Sequence, residues 1–218
     1  MKKLIVIGCY PNSQIKEQVL KDEILSLKNI NFDLMLVSHY PVSVELQSMV
    51  DYYIYDKNQT LTPINMCSHW WLSNDSFNVN IYNSRHALPI CQNMFNSFNF
   101  SEIKEYDFVY FIENDNIFSE KDSQKLSDLF DEMVSKGKKC IFFKPETFRE
   151  SDSYVYETQL FGISPKYFNQ IFKIPNKEEE WVYEELGYTL ELAFYRKLNG
   201  FENDFLIIGE HSSEYFDT

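Results

Sequence analysis

One segment constrains the fold of this chain more than any other: Tyr106-Asp107-Phe108-Val109-Tyr110-Phe111-Ile112 is an apolar run that ends in Glu113-Asn114-Asp115-Asn116. A core strand normally carries no charge, so the acids belong at its carboxyl end, where the backbone leaves the sheet. In open α/β sheets, the crevice beyond the strand carboxyl ends is where ligands bind. Glu113 and Asp115 are two apart, and in an extended backbone they project to the same side. Two carboxylates placed there can grip a hard divalent cation.

The surrounding pattern alternates strand and helix. Leu4 to Ile7 is a short, continuous apolar run of the kind found in buried parallel strands, and it enters a polar turn, Gly8 to Ser13. Ser13 can cap a helix with Ile15, Leu20, Ile24 and Leu27 on one face, and Asp33 to Ser38 makes the second strand. A short helix over Val44 to Met49 leads to a third strand, Asp51 to Asp56, rich in aromatic and β-branched residues. Lys57 to Asn83 has no clean periodicity and reads as a long loop able to fold over a ligand. A helix is expected over Ser84 to Phe98, with Pro89 in its first turn or distorting it.

After the acid-tipped strand, Leu126, Leu129, Phe130, Met133 and Val134 mark the apolar face of a helix from Lys121 to Ser135, which Gly137 stops. Cys140 to Phe143 and Tyr154 to Ile163 read as strands, Pro165 to Phe172 and Glu184 to Leu198 as helices, and Phe205 to Ile208 as the last strand. Such alternation implies an α/β fold, with helices flanking a mostly parallel central sheet. The length, 218 residues, fits a single domain.

Composition narrows the partners. A net charge of −13 opposes nucleic acid and anionic membrane surfaces, which both require clustered Lys and Arg. No stretch approaches the roughly 20 apolar residues of a membrane helix, and the apolar run after Met1-Lys2-Lys3 is shorter than a secretory segment requires. A cytoplasmic protein without an integral membrane segment is expected. Cys9, Cys67, Cys91 and Cys140 are scattered without a Cys-x-x-Cys pair, which argues for reduced, mostly buried thiols. An anionic substrate would meet a repulsive field unless a bound cation reversed it locally.

Three short stretches carry a family resemblance. Glu113-Asn114-Asp115 resembles the Asp-x-Asp motif of GT-A-fold, nucleotide-sugar-dependent glycosyltransferases, with Glu113 in place of the first aspartate. Trp181-Val182-Tyr183-Glu184-Glu185 resembles the Trp-x-x-Glu-Asp element of inverting members such as the β-1,4-galactosyltransferases, with Glu185 in place of the aspartate. His211 follows the last strand, where similar enzymes often place a histidine on the metal.

The resemblance implies a single-domain GT-A (Rossmann-like) fold, with residues 1–116 as the nucleotide-binding half and 117–218 as the acceptor-binding and catalytic half. It further implies Mn²⁺ or Mg²⁺ held by Asp115, Glu113 and His211, with Glu185 as catalytic base and Glu184 orienting the acceptor sugar. The donor would be a nucleotide sugar, a UDP-sugar foremost, and the acceptor a glycan or glycolipid. By position, Gly8, Tyr10 and Asn12 belong to the base-and-ribose loop, Asp56 faces uracil or ribose, Arg85 touches the diphosphate, and Trp70, Trp71 and Trp181 are stacking platforms for sugars.

Structural alternatives stand beside each of these. Glu113 and Asp115 can cap the next helix, Glu184 and Glu185 can continue the solvated run Glu178-Glu179-Glu180, and His211 can be a hydrogen-bonded surface histidine. Two rival functions remain: a sugar-phosphate nucleotidyltransferase, and a non-catalytic carbohydrate- or nucleotide-sugar-binding protein on the same fold. The first usually carries Arg and Lys in a Gly-rich opening loop, and Gly8 to Ser13 has neither.

Overall fold

The computed structural model describes residues 1–55, 93–114, 118–147, 154–172, 190–209 and 211–216. Chain order runs β1 (Lys3–Cys9), α1 (Gln14–Leu27), β2 (Asp33–Ser38), α2 (Val44–Gln47), β3 (Tyr52–Tyr55), a helical segment α3 (93–99) and β4 (Phe108–Glu113). It continues through α4 (Glu120–Ser135), β5 (Cys140–Phe142), β6 (Glu146–Thr147), β7 (Tyr154–Val155), β8 (Leu160–Ile163), α5 (Pro165–Phe172), α6 (Leu190–Leu198), β9 (Phe205–Ile207) and α7 (Ser212–Tyr215). Seven strands form one sheet in the order β3-β2-β1-β4-β8-β5-β9, and β6 and β7 make a separate antiparallel pair. All pairings in the large sheet are parallel except those of β8, which runs antiparallel to both β4 and β5.

Side-chain alternation divides the core into two layers. Leu4 and Val6 of β1, with Val109 and Phe111 of β4, pack on one face against Phe95 and Phe98 of α3, Phe168 and Phe172 of α5 and Phe194 of α6. Ile5 and Ile7, with Phe108, Tyr110 and Ile112, pack on the other face against Leu20 and Ile24 of α1, Leu46 of α2 and Leu126 and Phe130 of α4. Rings dominate the first layer: Phe98 lies parallel on Phe168 at 3.8 Å between centroids, and Phe172 meets Phe194 at 4.8 Å. Such pairs add about 0.5–1.5 kcal/mol each beyond the area they bury.

The sequence expectations hold for element order, for the Ser13 cap, whose hydroxyl accepts from the Lys16 N–H, and for the bounds of α5. Several details differ. Ile15 is 78% exposed, because it precedes Leu20 by five residues and so lies about 140° around the helix from the Leu20-Ile24-Leu27 stripe. Val134 is also exposed, at the edge of the α4 stripe.

The expected strand Tyr154 to Ile163 is two strands in different sheets, β7 and β8, because the polar segment Glu157-Thr158-Gln159 breaks the run between them. Cys9 and Cys140 are free and buried, as expected, whereas Cys67 and Cys91 lie outside the described residues. The long loop expected over Lys57 to Asn83 also lies outside them, as do Asp56, Trp70, Trp71, Arg85, Asp115, Trp181, Glu184 and Glu185.

Strand β1 extends through Cys9, so Gly8 is a strand residue rather than part of a turn. A Cβ on Gly8 would stand 2.7 Å from Cζ of Phe111, inside the ring's van der Waals envelope. Gly8 is therefore required by packing. Gly8→Ala is expected to lose roughly 1–3 kcal/mol of stability in urea denaturation, the usual cost of overpacking. Adding Phe111→Leu to that variant should recover part of the loss, and an unchanged Gly8→Ala midpoint would contradict the packing argument.

Candidate functional site

The order of the strands locates the site. The chain runs outward from β1 through β2 to β3, then returns to place β4 on the other side of β1, so strand order reverses between β1 and β4. Crevices at such reversals, beyond the strand carboxyl ends, are the usual ligand sites of open α/β sheets. Gly8 pairs with Glu113 in the register there, and Glu113 is half-buried at the tip of β4.

Two backbone connections extend the tip to its neighbours. The Glu113 N–H donates to the Gln159 carbonyl at 2.9 Å, so the segment before β8 lies against the end of β4. Gln159 in turn lines a cavity of about 180 Å³ together with Lys144, Glu146, Tyr156, Glu157, Thr158 and His211. His211 is thus placed on the same side of the molecule as the acid-tipped strand. The volume is below the roughly 300–1,000 Å³ of ligand pockets but sufficient for a hydrated cation or a phosphate group.

His211 reaches this cavity because the chain turns sharply after β9. Gly209 has φ +116°, a backbone conformation that L side chains rarely adopt, and its carbonyl accepts from the Lys144 N–H at 2.8 Å. His211 then occupies the cap position of α7 and lies between two carboxylates. Its Nε2 is 2.6 Å from Glu146 Oε1, and its Nδ1 is 3.5 Å from Glu157 Oε2. Glu157 also accepts from the Ser212 N–H at 2.9 Å and from the Ser212 hydroxyl.

Tyr156 lines the cavity, its ring tilted against those of Phe142 and Tyr195. Burial, helped by the nearby charge of Glu202 and by Tyr195, pushes its phenol up to about 12. At neutral pH it is a hydrogen-bond donor and not a base. Neither Glu146 nor Glu157 stood out in the sequence, because neither belongs to a motif, and Glu157 fell inside a span read only as a strand.

At the β1 end of the crevice, Lys16 lies over the Tyr10 ring at 4.4 Å, Tyr10 packs edge-on against Tyr40, and Asn12 is exposed. The Cys9 carbonyl accepts from the His39 N–H and from the Asn93 amide, both at 3.4 Å. Burial holds the Cys9 thiol far above its ordinary value despite a hydrogen bond with Ser38, which excludes a thiolate role. Lys16 thus puts a positive charge beside Tyr10, in a chain whose overall field repels anions.

A larger cavity, about 530 Å³, lies at the opposite end of β4 among Lys104, Tyr106, Asp107, Ser164, Lys166 and Asn169. It faces the amino end of the strand, and the Tyr106 hydroxyl there donates to Asp33. Topology and donor chemistry both favour the carboxyl-end crevice as the site.

The donors at that crevice, an imidazole and carboxylates, suit Mn²⁺ or Mg²⁺. Among the described residues, no three His, Cys, Asp or Glu side chains converge to hold a metal ion. Glu113 and His211 therefore do not complete a set by themselves, and Asp115 is the remaining sequence candidate.

No family model matches the chain, and none of the curated proteins does. Solved structures do match in fold. The chain is similar to core-mannan synthase A from Aspergillus fumigatus in its Mn/GDP form, with a TM-score of 0.53 and 10% identity over 90% of this chain and 69% of that one. It is similar to a Desulfovibrio desulfuricans G20 protein described as a nucleotide-diphospho-sugar transferase, with a TM-score of 0.51 and 10% identity over 96% and 81% of the two chains. A cytidylyltransferase from Leptospira borgpetersenii matches with a TM-score of 0.50 and 12% identity over 97% and 76%. The fold is thus the mixed α/β, GT-A-like architecture shared by nucleotide-sugar enzymes. Among the described residues, no helix is long and apolar enough to cross a membrane.

The short helix carrying His211 depends on an anchor outside itself. Lys125 donates to the Tyr215 carbonyl at 2.7 Å, pairs at 2.7 Å with the fully buried Asp122, and lies near the Tyr215 and Phe216 rings. Lys125→Met should destabilise the protein by about 2–3 kcal/mol, less than the value for a fully buried pair because Lys125 is partly exposed. Thermal denaturation checks this, and faster hydrogen exchange confined to 211–216 would identify the released element.

Proposed function

We propose that this protein is a metal-dependent glycosyltransferase that moves a sugar from a nucleotide-sugar donor to a glycan or glycolipid acceptor, with inversion. One observation carries the reading. The acid-tipped strand ends at the point where strand order reverses, and its backbone is bonded to the wall of the cavity that holds His211. The fold likeness to nucleotide-sugar enzymes supports the substrate class, and the Mn/GDP form of one of them supports a divalent cation.

In this reading residues 1–116 bind the donor and residues 117–218 the acceptor. Asp115, Glu113 and His211 would hold Mn²⁺ or Mg²⁺, which when bound neutralises charge developing on a departing nucleoside diphosphate. Tyr10 and Asn12 flank the nucleoside from the end of β1, and Gly8, lacking a side chain, leaves room for the Phe111 ring against the adjoining strand. Asp56 and Arg85 are the further candidates for the ribose and the diphosphate. Glu185 takes the acceptor hydroxyl's proton as that oxygen bonds to the anomeric carbon and the bond from that carbon to phosphate breaks, while Glu184 orients the acceptor. A UDP-sugar donor and a cytoplasmic location complete the proposal.

The likeness to a cytidylyltransferase favours one alternative, a sugar-phosphate nucleotidyltransferase. The turn Tyr10-Pro11-Asn12-Ser13 argues against it, having no Arg or Lys of its own to meet a triphosphate. A panel of nucleotide sugars, assayed for nucleoside diphosphate release with Mn²⁺, Mg²⁺ or chelator, tests the proposal. Chelator and Asp115→Ala should both abolish release. Glu185→Ala should keep donor binding and lose transfer by about 10²–10⁴-fold, the usual share of a general base. Pyrophosphate formed from a nucleoside triphosphate and a sugar phosphate would establish the alternative instead.

A further inference from the structure

We propose that the cavity at the amino end of β4 is a second binding site, one for a phosphate monoester that carries hydroxyl groups, such as a sugar phosphate. It does not depend on the function proposed above. Asp107 on its wall and Glu113 at the far end of the strand are six residues apart, about 20 Å of extended backbone, so a small ligand at one end does not reach the other. At about 530 Å³ the cavity is roughly three times the size of the one beside His211 and falls within the usual range of small-molecule pockets.

Its charge singles it out. Lys104, from the short 3₁₀ turn Ser101–Glu105 before β4, and Lys166, from the first turn of α5, both line it. Lys2, Lys21, Lys125, Lys136 and Lys139 each pair with a carboxylate, whereas neither Lys104 nor Lys166 makes an ion pair or side-chain hydrogen bond among the described residues. The nearby acids are otherwise engaged. Glu105 pairs with Lys2 at 3.3 Å, and the Asp107 carboxylate accepts from the Lys2 backbone N–H at 2.7 Å. Two unpaired ammonium groups on one cavity reverse, locally, the field of a chain with net charge −13.

The other lining groups define the ligand. Two ammonium groups balance a phosphate monoester, which carries about −1.5 to −2 at neutral pH, while a lone carboxylate would leave one of them over. Asp107 sets the upper limit, because its charge on the same wall opposes the added phosphates of a nucleoside di- or triphosphate. Its second oxygen, with Asn169 and Ser164, suits hydroxyl groups. The Ser164 hydroxyl accepts from the Tyr167 N–H at 3.2 Å, and its own proton has no acceptor among the described residues. Tyr106, the one ring on the lining, is 4% exposed and offers no platform for a nucleobase.

The test is titration of the full-length, isotope-labelled protein with glucose 6-phosphate, followed by backbone amide shifts. Shifts should appear at 104–107 and 164–169, with one dissociation constant whether or not saturating UDP and Mn²⁺ are present. Lys104→Gln and Lys166→Gln should each weaken binding about tenfold, the lower end of what a hydrogen bond to a charged group supplies. Both lysines are exposed, so neither substitution disturbs the core. Lys121→Gln, equally exposed on α4, should leave the affinity unchanged. Asp107→Asn keeps an oxygen for Lys2 and removes the opposing charge, so it should bind inorganic phosphate more tightly and narrow the preference for the ester.

Shifts confined to Gly8–Asn12 and Glu113, or competition by UDP, would put the phosphate in the carboxyl-end crevice and overturn the proposal. An equal loss in Lys121→Gln would also overturn it, since a general charge effect needs no cavity. Equal affinity of the wild type for inorganic phosphate and glucose 6-phosphate would remove the hydroxyl-bearing ester from the assignment, and an absence of shifts at 104–107 and 164–169 with millimolar ligand would remove the site.

Discussion

The full burial of β4 is the constraint on which the rest depends. Both faces of the strand are covered and both edges are paired, to β1 and to β8, so from Phe108 to Ile112 it has no outlet to solvent. A charge anywhere along that stretch would incur a desolvation cost with no partner to offset it. Glu113 is the first position where a carboxylate can be tolerated, and the same sheet order that buries the strand places this residue at the strand-order reversal. Core formation and site placement are therefore one event, and neither could move without the other.

The antiparallel course of β8 has a matching effect on the other side. A parallel strand beside β4 would have presented its amino end at the opposite pole of the sheet. Because β8 runs the other way, its entry segment, Tyr156 to Gln159, arrives at the carboxyl end of β4 and brings Glu157 with it. The C-terminal turn at Gly209 delivers His211 to the same place from β9. Three stretches distant in sequence thus meet at one pole because of strand direction and one left-handed residue.

What could be read from the sequence follows from this. Apolar runs and helical stripes report burial, so β4, α4 and α5 were legible from residues such as Phe108, Leu126 and Phe168. Periodicity carries no information on strand direction, so the reversal of β8 was not, and Tyr154 to Ile163 looked like one strand. His211 was singled out by its place after the last strand, and the structure puts it on the wall of a cavity. Glu146 and Glu157 gave no signal, since a glutamate that will grip Ser212 looks the same in sequence as one in water. Gly8 was misread as a turn because glycine marks turns more often than it marks a close ring contact, and only the position of Phe111 distinguishes the two. Asp115, Glu184 and Glu185, on which the chemistry of the proposal rests, lie outside the described residues.

The aromatic interior has an optical corollary. The packed rings among the described residues are phenylalanines and tyrosines, while the chain's three tryptophans, Trp70, Trp71 and Trp181, all lie outside those residues. Light absorbed selectively by indole would then excite none of the described ring layers directly. Its emission would report on the two stretches of sequence named here as sugar-stacking candidates, without any added label.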